Sequence, residues 1–135
     1  MKELTVKADV KNLPAVTQFV DEILEANECP MKAQMQIDIA IDELFSNIAY
    51  YAYESGDGEA IIGVDVQEGP KRVVVTFMDS GKQYNPLDKE DPDVTLSAEE
   101  RQIGGLGIFM VKKSMDDVIY QYQDKKNILT IVKNI

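Results

Sequence analysis

Three short groups of residues in this sequence carry atoms suited to binding or catalysis. The first group is Glu43 with Asn47, a carboxylate and an amide four positions apart in a helical pattern. Side chains at this spacing lie one turn apart on the same face of a helix, and their oxygens suit a Mg²⁺ ion or a polarised water. A solvated helix face often carries such a pair as well, so the spacing alone leaves both interpretations open.

The second group is Asp79-Ser80-Gly81, which follows a strongly apolar segment. An aspartate in this position often accepts a hydrogen bond from the backbone two residues on and so forms a turn. If its carboxylate is buried, it could instead accept a hydrogen bond from an exocyclic amino group such as that of adenine. The missing Cβ of Gly81 would then leave room for the ring.

The third group is the glycine-rich run Gly104-Gly105-Leu106-Gly107, which stands at the start of a predicted helix and shortly after Arg101. Exposed N–H groups and the dipole at a helix N-terminus favour a phosphate. The run lacks the Lys-Ser/Thr of a Walker A loop, and it does not directly follow a strand as the dinucleotide fingerprint does. Glycines that only end a loop are the alternative.

Composition limits the chemistry that these groups could perform. The 135 residues carry a net charge of −10, which disfavours binding along a nucleic-acid backbone but permits a small nucleotide held by local groups. The chain has no histidine and only one cysteine, Cys29, which disfavours a zinc site, a histidine-based triad and an internal disulfide. No long apolar run is present near Met1, so we expect a cytoplasmic protein without a membrane span.

Hydrophobic periodicity predicts the elements that must position the three groups. Alternation predicts strands, and recurrence at intervals of three and four residues predicts helices, as in the apolar stripe Ile37, Ile41, Leu44, Ile48 and Ala52. A long polar stretch over 82–102 interrupts this pattern. We predict one domain over residues 1–135, an α+β two-layer sandwich with a mixed, mostly antiparallel sheet and helices on one face. The predicted strands span 4–10, 60–66, 72–78, 118–122 and 128–132, and the predicted helices follow Asn12, span 31–53 and follow Gly104.

The order and separation of the three groups resemble the N, G1 and G2 boxes of the Bergerat-fold (GHKL) ATPases, the superfamily of gyrase, Hsp90, histidine kinases and MutL. Within that superfamily, the small size, the N-terminal strand and helix and the run Ile103–Val111 followed by Met115-Asp116 resemble the anti-sigma-factor serine/threonine kinases of bacterial partner-switching systems. The resemblance extends over nearly the whole chain and implies the Bergerat fold.

The resemblance also implies roles for individual residues around Mg²⁺ and ATP. Asn47 would coordinate the Mg²⁺, and Glu43 would be the general base toward a seryl hydroxyl or a water. Asp79 would read the adenine amino group. The remaining implied ligands of ATP are Gly81, which would admit the ring, Asn85 as an accessory, Arg101 near the γ-phosphate or the protein substrate, and Gly104, Gly105, Leu106 and Gly107 around the phosphates, with 82–102 as a mobile lid.

The implied activity is phosphorylation of a small STAS-type anti-anti-sigma partner, together with sequestration of a sigma factor. The family also implies a homodimer, for which an N-terminal strand at the edge of the sheet would offer unpaired backbone groups. A non-catalytic ATP-binding regulator is the alternative that the sequence leaves open. A histidine-kinase catalytic domain is disfavoured because no phosphoacceptor histidine is present, and an α/β domain without a ligand would have to match three spaced motifs by chance.

Overall fold

The computed structural model describes residues 1–54, 56–88 and 106–135, apart from the side chain of Leu106. Two single-turn 3₁₀ helices, Val10–Asn12 and Pro86–Asp88, accompany the main elements. The main elements in chain order are β1 (Lys2–Lys7), α1 (Leu13–Ala26), α2 (Met31–Tyr51), β2 (Glu59–Gln67), β3 (Arg72–Asp79), α3 (Leu106–Ser114), β4 (Asp117–Gln123) and β5 (Lys126–Asn134).

The strands form one sheet in the order β1-β2-β3-β5-β4. The α+β sandwich with helices on one face is confirmed. The expectation of a mixed sheet is wrong for the described strands, because all four pairings are antiparallel. The reason is the position of β5: β4 runs in the same direction as β3, but the β4–β5 hairpin inserts β5 between them, so no two parallel strands are neighbours.

The core lies between the inner face of the sheet and the helices. Alternation directs Val73, Val75 and Phe77 of β3 inward, and all three are buried. The apolar stripe predicted for α2 is also buried and includes Ile37, Ile41 and Leu44, although Ile48 is only partly covered. This packing of one helical layer on one sheet face is what fixes the ends of the strands relative to α2.

Several predicted boundaries differ from the structure. β1 ends at Lys7, before residue 10, because Asp9 caps the following 3₁₀ turn by accepting a hydrogen bond from the backbone N–H of Lys11 at 3.0 Å. Asn12 does precede α1, but its side chain donates to the carbonyl of Lys7 rather than capping the helix. α2 ends at Tyr51. Among the described helices, none combines the length and apolarity needed to cross a bilayer.

Candidate functional site

Two buried polar residues, Asp79 and Asn127, face each other at one end of the sheet. Asp79 is the last residue of β3 and continues the inward face of Phe77, while Asn127 on β5 continues the inward face of Leu129. The antiparallel register pairs the two residues directly. Their side chains are only 8% and 7% exposed, so both must find hydrogen-bond partners inside the protein.

The Asp79 carboxylate receives two hydrogen bonds, both on Oδ1. Asn127 Nδ2 and the backbone N–H of Gly81 donate to it, each at 2.9 Å. Burial raises the pKa of this carboxyl group, and the bonds from Asn127 and Gly81 oppose that rise. The turn expected for Asp79-Ser80-Gly81 and the buried carboxylate are therefore both present, and they are two aspects of one arrangement.

Two hydrogen bonds connect the segment after β3 to the residues that follow α2. The N–H of Lys82 donates to the carbonyl of Ala52 at 2.7 Å, and the N–H of Ser80 donates to the hydroxyl of Tyr53 at 2.8 Å. A Cβ at Gly81 would overlap the backbone of Ala52. The structure thus requires glycine at 81 for close approach to α2, a different reason from the ring clearance that the family resemblance implies.

A cleft lies where α2 meets this end of the sheet, and both Asn47 and Asp79 line it. Most of its surface is apolar or aromatic, with a few polar groups, which is typical of a site for a small organic ligand. Gly81, Asn85 and Glu43 do not line it. The residues that line it are Leu44, Asn47, Ile48, Tyr51, Ala52, Phe77, Asp79, Lys82, Tyr84, Pro86, Tyr120, Asn127 and Leu129.

Glu43 joins this cleft to the first turn of α3. Asn47 Nδ2 donates to Glu43 Oε1 at 3.3 Å, so the two residues do lie one turn apart and interact. Gly107 in α3 packs against the same carboxylate, and a Cβ there would overlap it. Glu43 therefore contacts residues of two of the predicted groups, Asn47 and Gly107, and Asn47 in turn shares the cleft with Asp79.

The other predicted ligands are not brought to this point by the described structure. The Asn85 side chain caps the short helix Pro86–Asp88: its Oδ1 accepts from the N–H of Leu87 at 2.9 Å and its Nδ2 donates to Asp88 Oδ1 at 3.2 Å. Leu106 begins α3. Arg101, Gly104, Gly105 and the part of the predicted lid beyond residue 88 lie outside the described residues.

The donor set at Glu43 and Asn47 is compatible with Mg²⁺ bound jointly with a polyphosphate. Asn47 directs its amide nitrogen toward Glu43, which leaves its oxygen, the atom that could ligate a cation, for another partner. Within the described ranges, no group of three or more acidic, histidine or cysteine side chains is arranged to hold a metal. Mg²⁺ commonly has only one or two protein ligands and completes its shell with phosphates and water, so this sparse set fits.

The sequence pattern did not single out the residues that organise the floor of the cleft. Asn127 accepts hydrogen bonds at Oδ1 from the Tyr120 hydroxyl at 2.5 Å and from the N–H of Tyr84 at 3.1 Å, and its Nδ2 also donates to the Lys82 carbonyl at 2.9 Å. The strand predicted over 128–132 excludes Asn127, whereas β5 begins at Lys126 and includes it. The signal that could have found it is register, since pairing the two apolar runs of β3 and β5 places this polar residue opposite Asp79.

Comparisons with known proteins bear on the fold and the family of this chain. The chain is 25% identical over 116 residues to the serine/threonine-protein kinase BtrW of Bordetella bronchiseptica, a match that covers 86% of this chain and 81% of that protein. Its fold is similar to a solved structure of the RsbU and RsbW domains of a Mycobacterium tuberculosis protein, with a TM-score of 0.62 and 14% identity over 99% of this chain. The chain spans about a third of that protein's solved length, 32%. Residues 6–133 match the model of the histidine kinase-like ATPase domain, and the chain therefore belongs to that family.

Proposed function

We propose that this protein is an ATP-dependent serine/threonine kinase that acts as an anti-sigma factor. Its substrate would be a small STAS-type anti-anti-sigma protein, and its second partner a sigma factor that it sequesters. The similarity to a protein named as a serine/threonine kinase supports the activity. The fold is also similar to that of a solved structure that contains an RsbW domain.

The observation that carries this proposal is that three distant segments are linked by contacts in and beside the cleft. Asn47 and Asp79 line one cavity although 32 positions separate them, and Glu43 connects Asn47 to Gly107. Adenine recognition, phosphate binding and proton acceptance must occur side by side for phosphoryl transfer from ATP. The contacts that connect Asp79, Asn47, Glu43 and Gly107 match that requirement.

In the proposed reaction, each residue has a distinct task. The buried Asp79 carboxylate accepts a hydrogen bond from the adenine amino group, while the apolar and aromatic lining of the cleft covers the ring. The backbone at the start of α3 contacts the phosphates. Glu43 accepts the proton of the seryl or threonyl hydroxyl on the partner as that oxygen attacks the γ-phosphorus and ADP leaves.

Asn47 would hold Mg²⁺ through its amide oxygen, with Glu43 keeping the amide oriented by accepting its N–H. When bound, the ion would neutralise negative charge on the phosphates and help to orient them for transfer. A phosphate-bound cation with few protein ligands is consistent with the absence of an acidic cage in the described residues.

The decisive experiment is incubation of the purified protein with γ-³²P-labelled ATP, Mg²⁺ and a STAS protein from the same source. We expect label on a serine or threonine of the STAS protein, and none when EDTA is present. Tight ATP binding without any transfer to such a partner would favour the alternative, a non-catalytic regulator that works by sequestration. Failure to bind ATP at all would refute both.

A homodimer through β1 remains a prediction. β1 pairs only with β2 and forms one edge of the sheet, so its outer backbone groups face no neighbouring strand among the described residues. Sedimentation velocity of the wild-type protein and of a Thr5→Pro variant would test it, because Ala8 donates its N–H to Gly58 and the alternation along β1 then directs the N–H of residue 5 away from β2. Proline removes a backbone donor from the edge, and a dimer built on that edge should dissociate.

A further inference from the structure

We propose that Asn127 is a positioning residue that holds the Asp79 carboxylate in the orientation and charge state needed to recognise adenine. The inference rests on the proposed function, because it concerns how Asp79, the proposed adenine-recognition residue, distinguishes adenine from other bases. No predicted motif includes Asn127, and its importance follows from the register that places it opposite Asp79.

The hydrogen bonds of Asn127 use every donor and acceptor site of its amide. Nδ2 donates to Asp79 Oδ1 and to the Lys82 carbonyl, both at 2.9 Å. Oδ1 accepts from the Tyr120 hydroxyl and from the N–H of Tyr84. An amide has two N–H donors and two acceptor lone pairs, so this side chain is fully satisfied in a position where it is 7% exposed.

The same bonds fix which way the amide points. Rotation by 180° would direct the NH₂ group at the N–H of Tyr84 and would leave the Lys82 carbonyl and Asp79 without a donor. Such unpaired buried groups are costly, so one orientation is strongly preferred. Asn127 therefore presents an N–H to Asp79 in the free protein, before any nucleotide binds.

This contact determines what Asp79 can offer a base. Both internal bonds fall on Oδ1, which leaves Oδ2 as the oxygen that can accept from an exocyclic amino group. Burial raises the pKa of Asp79, and the bond from Asn127 is the larger of the two that oppose it. Without Asn127, protonation would be easier, and a protonated carboxyl group can donate to the 6-oxo group of hypoxanthine as well as accept from adenine.

The test compares binding of ADP and of IDP, which carries an oxo group in place of the adenine amino group, by calorimetry at pH 6 and pH 8. We expect the wild-type protein to prefer ADP at both pH values. Asn127→Leu keeps a similar volume but removes the donor, and we expect its preference for ADP to fall by about tenfold or more at pH 6 and by less at pH 8. Asn127→Thr, which retains a donor hydroxyl, should keep more of the preference.

Two further measurements make the result decisive. Carboxyl ¹³C NMR of Asp79 should show a higher pKa in Asn127→Leu than in the wild type. If Asn127→Leu does not fold, Tyr120→Phe removes one bond that orients the Asn127 amide, and it should lower the ADP preference in the same direction.

A folded Asn127→Leu variant with the wild-type preference would overturn the inference and leave the proposed function intact, as would an unchanged preference in Tyr120→Phe when the leucine variant is unfolded. A wild-type protein that binds neither nucleotide would refute the proposed function, and the inference with it.

Discussion

The carboxylate of Glu43 lies directly against the backbone of Gly107, and a Cβ at residue 107 would overlap its carboxyl carbon and both oxygens. The proposed general base and the helix start that would bind phosphate are therefore adjacent because residue 107 has no side chain. The missing Cβ of residue 107 leaves room for the Glu43 carboxylate in this position, and the backbone freedom of glycine is not the reason.

Gly107→Ala should disrupt this approach. The added methyl group must displace the Glu43 carboxylate, which as the far end of a flexible side chain can move at small cost to stability. Alanine also favours the helix by roughly 0.5–1 kcal/mol, so the free energy of unfolding should change only modestly while phosphoryl transfer falls strongly. Urea denaturation and a transfer assay measure the two effects. Met110→Ala, at an exposed position of α3, is the matched control, and equal activity of the two variants would contradict the prediction.

Glu43→Gln should separate nucleotide binding from catalysis. The amide has nearly the same shape but cannot accept the hydroxyl proton, so we expect ATP affinity to remain and the transfer rate to fall by about 10²–10⁴-fold. Calorimetry and the labelled-ATP assay test the two halves. Asp42→Asn removes a carboxylate from an exposed neighbouring position on the same helix and should transfer normally. Normal transfer by Glu43→Gln would exclude Glu43 as the base.

Asp79→Asn should weaken ATP binding. The NH₂ group of the new amide would point either at the N–H donors of Asn127 and Gly81 or at the adenine amino group. In either orientation, one hydrogen-bond donor would face another. A loss of about 10- to 100-fold in affinity corresponds to the usual worth of a hydrogen bond to a charged group. Asp65→Asn, on β2 away from the cleft, is the control. Unchanged affinity of Asp79→Asn in calorimetry would count against adenine recognition by this residue.

Local pattern was sufficient for the elements and for much of the site. The recurrence of Ile37, Ile41 and Leu44 predicted the buried stripe of α2, and the spacing of Glu43 and Asn47 predicted their contact across one helical turn. Both are relations within one element, where the period of the helix determines which residues meet.

Relations between elements were harder to predict. The insertion of β5 next to β3 decides both the fully antiparallel sheet and the pairing of Asp79 with Asn127, and no local pattern specifies the order of strands. The close approach that Gly81 permits to Ala52 has the same origin, since only the packed structure brings the end of α2 to that position. Such contacts depend on tertiary packing and are absent from the periodicity of any single segment.

A pair of carboxyl groups between α1 and α2 predicts how stability depends on pH. Burial and a hydrogen bond that the protonated Asp38 carboxyl donates to Asp21 raise the pKa of Asp38 to about 7, and the charges of Asp21 and Glu25 add to the rise. Oδ1 of Asp21 and Oδ1 of Asp38 are both buried, and neither receives a hydrogen bond from a donor among the described residues. Two ionised carboxylates can only accept, so the bond between them requires a shared proton.

The folded protein therefore holds a proton that the unfolded chain releases above about pH 4. Stability from this pair should fall as the pH rises from about 4 to 7 and should level off above that. Asp38→Asn supplies a permanent N–H to Asp21, so this variant should exceed the wild type in urea midpoint at pH 8 and differ less from it at pH 5. Asp42→Asn, exposed on the same helix, should show no such pH-dependent gain. An equal gain at both pH values would show that the pair shares no proton in the folded state.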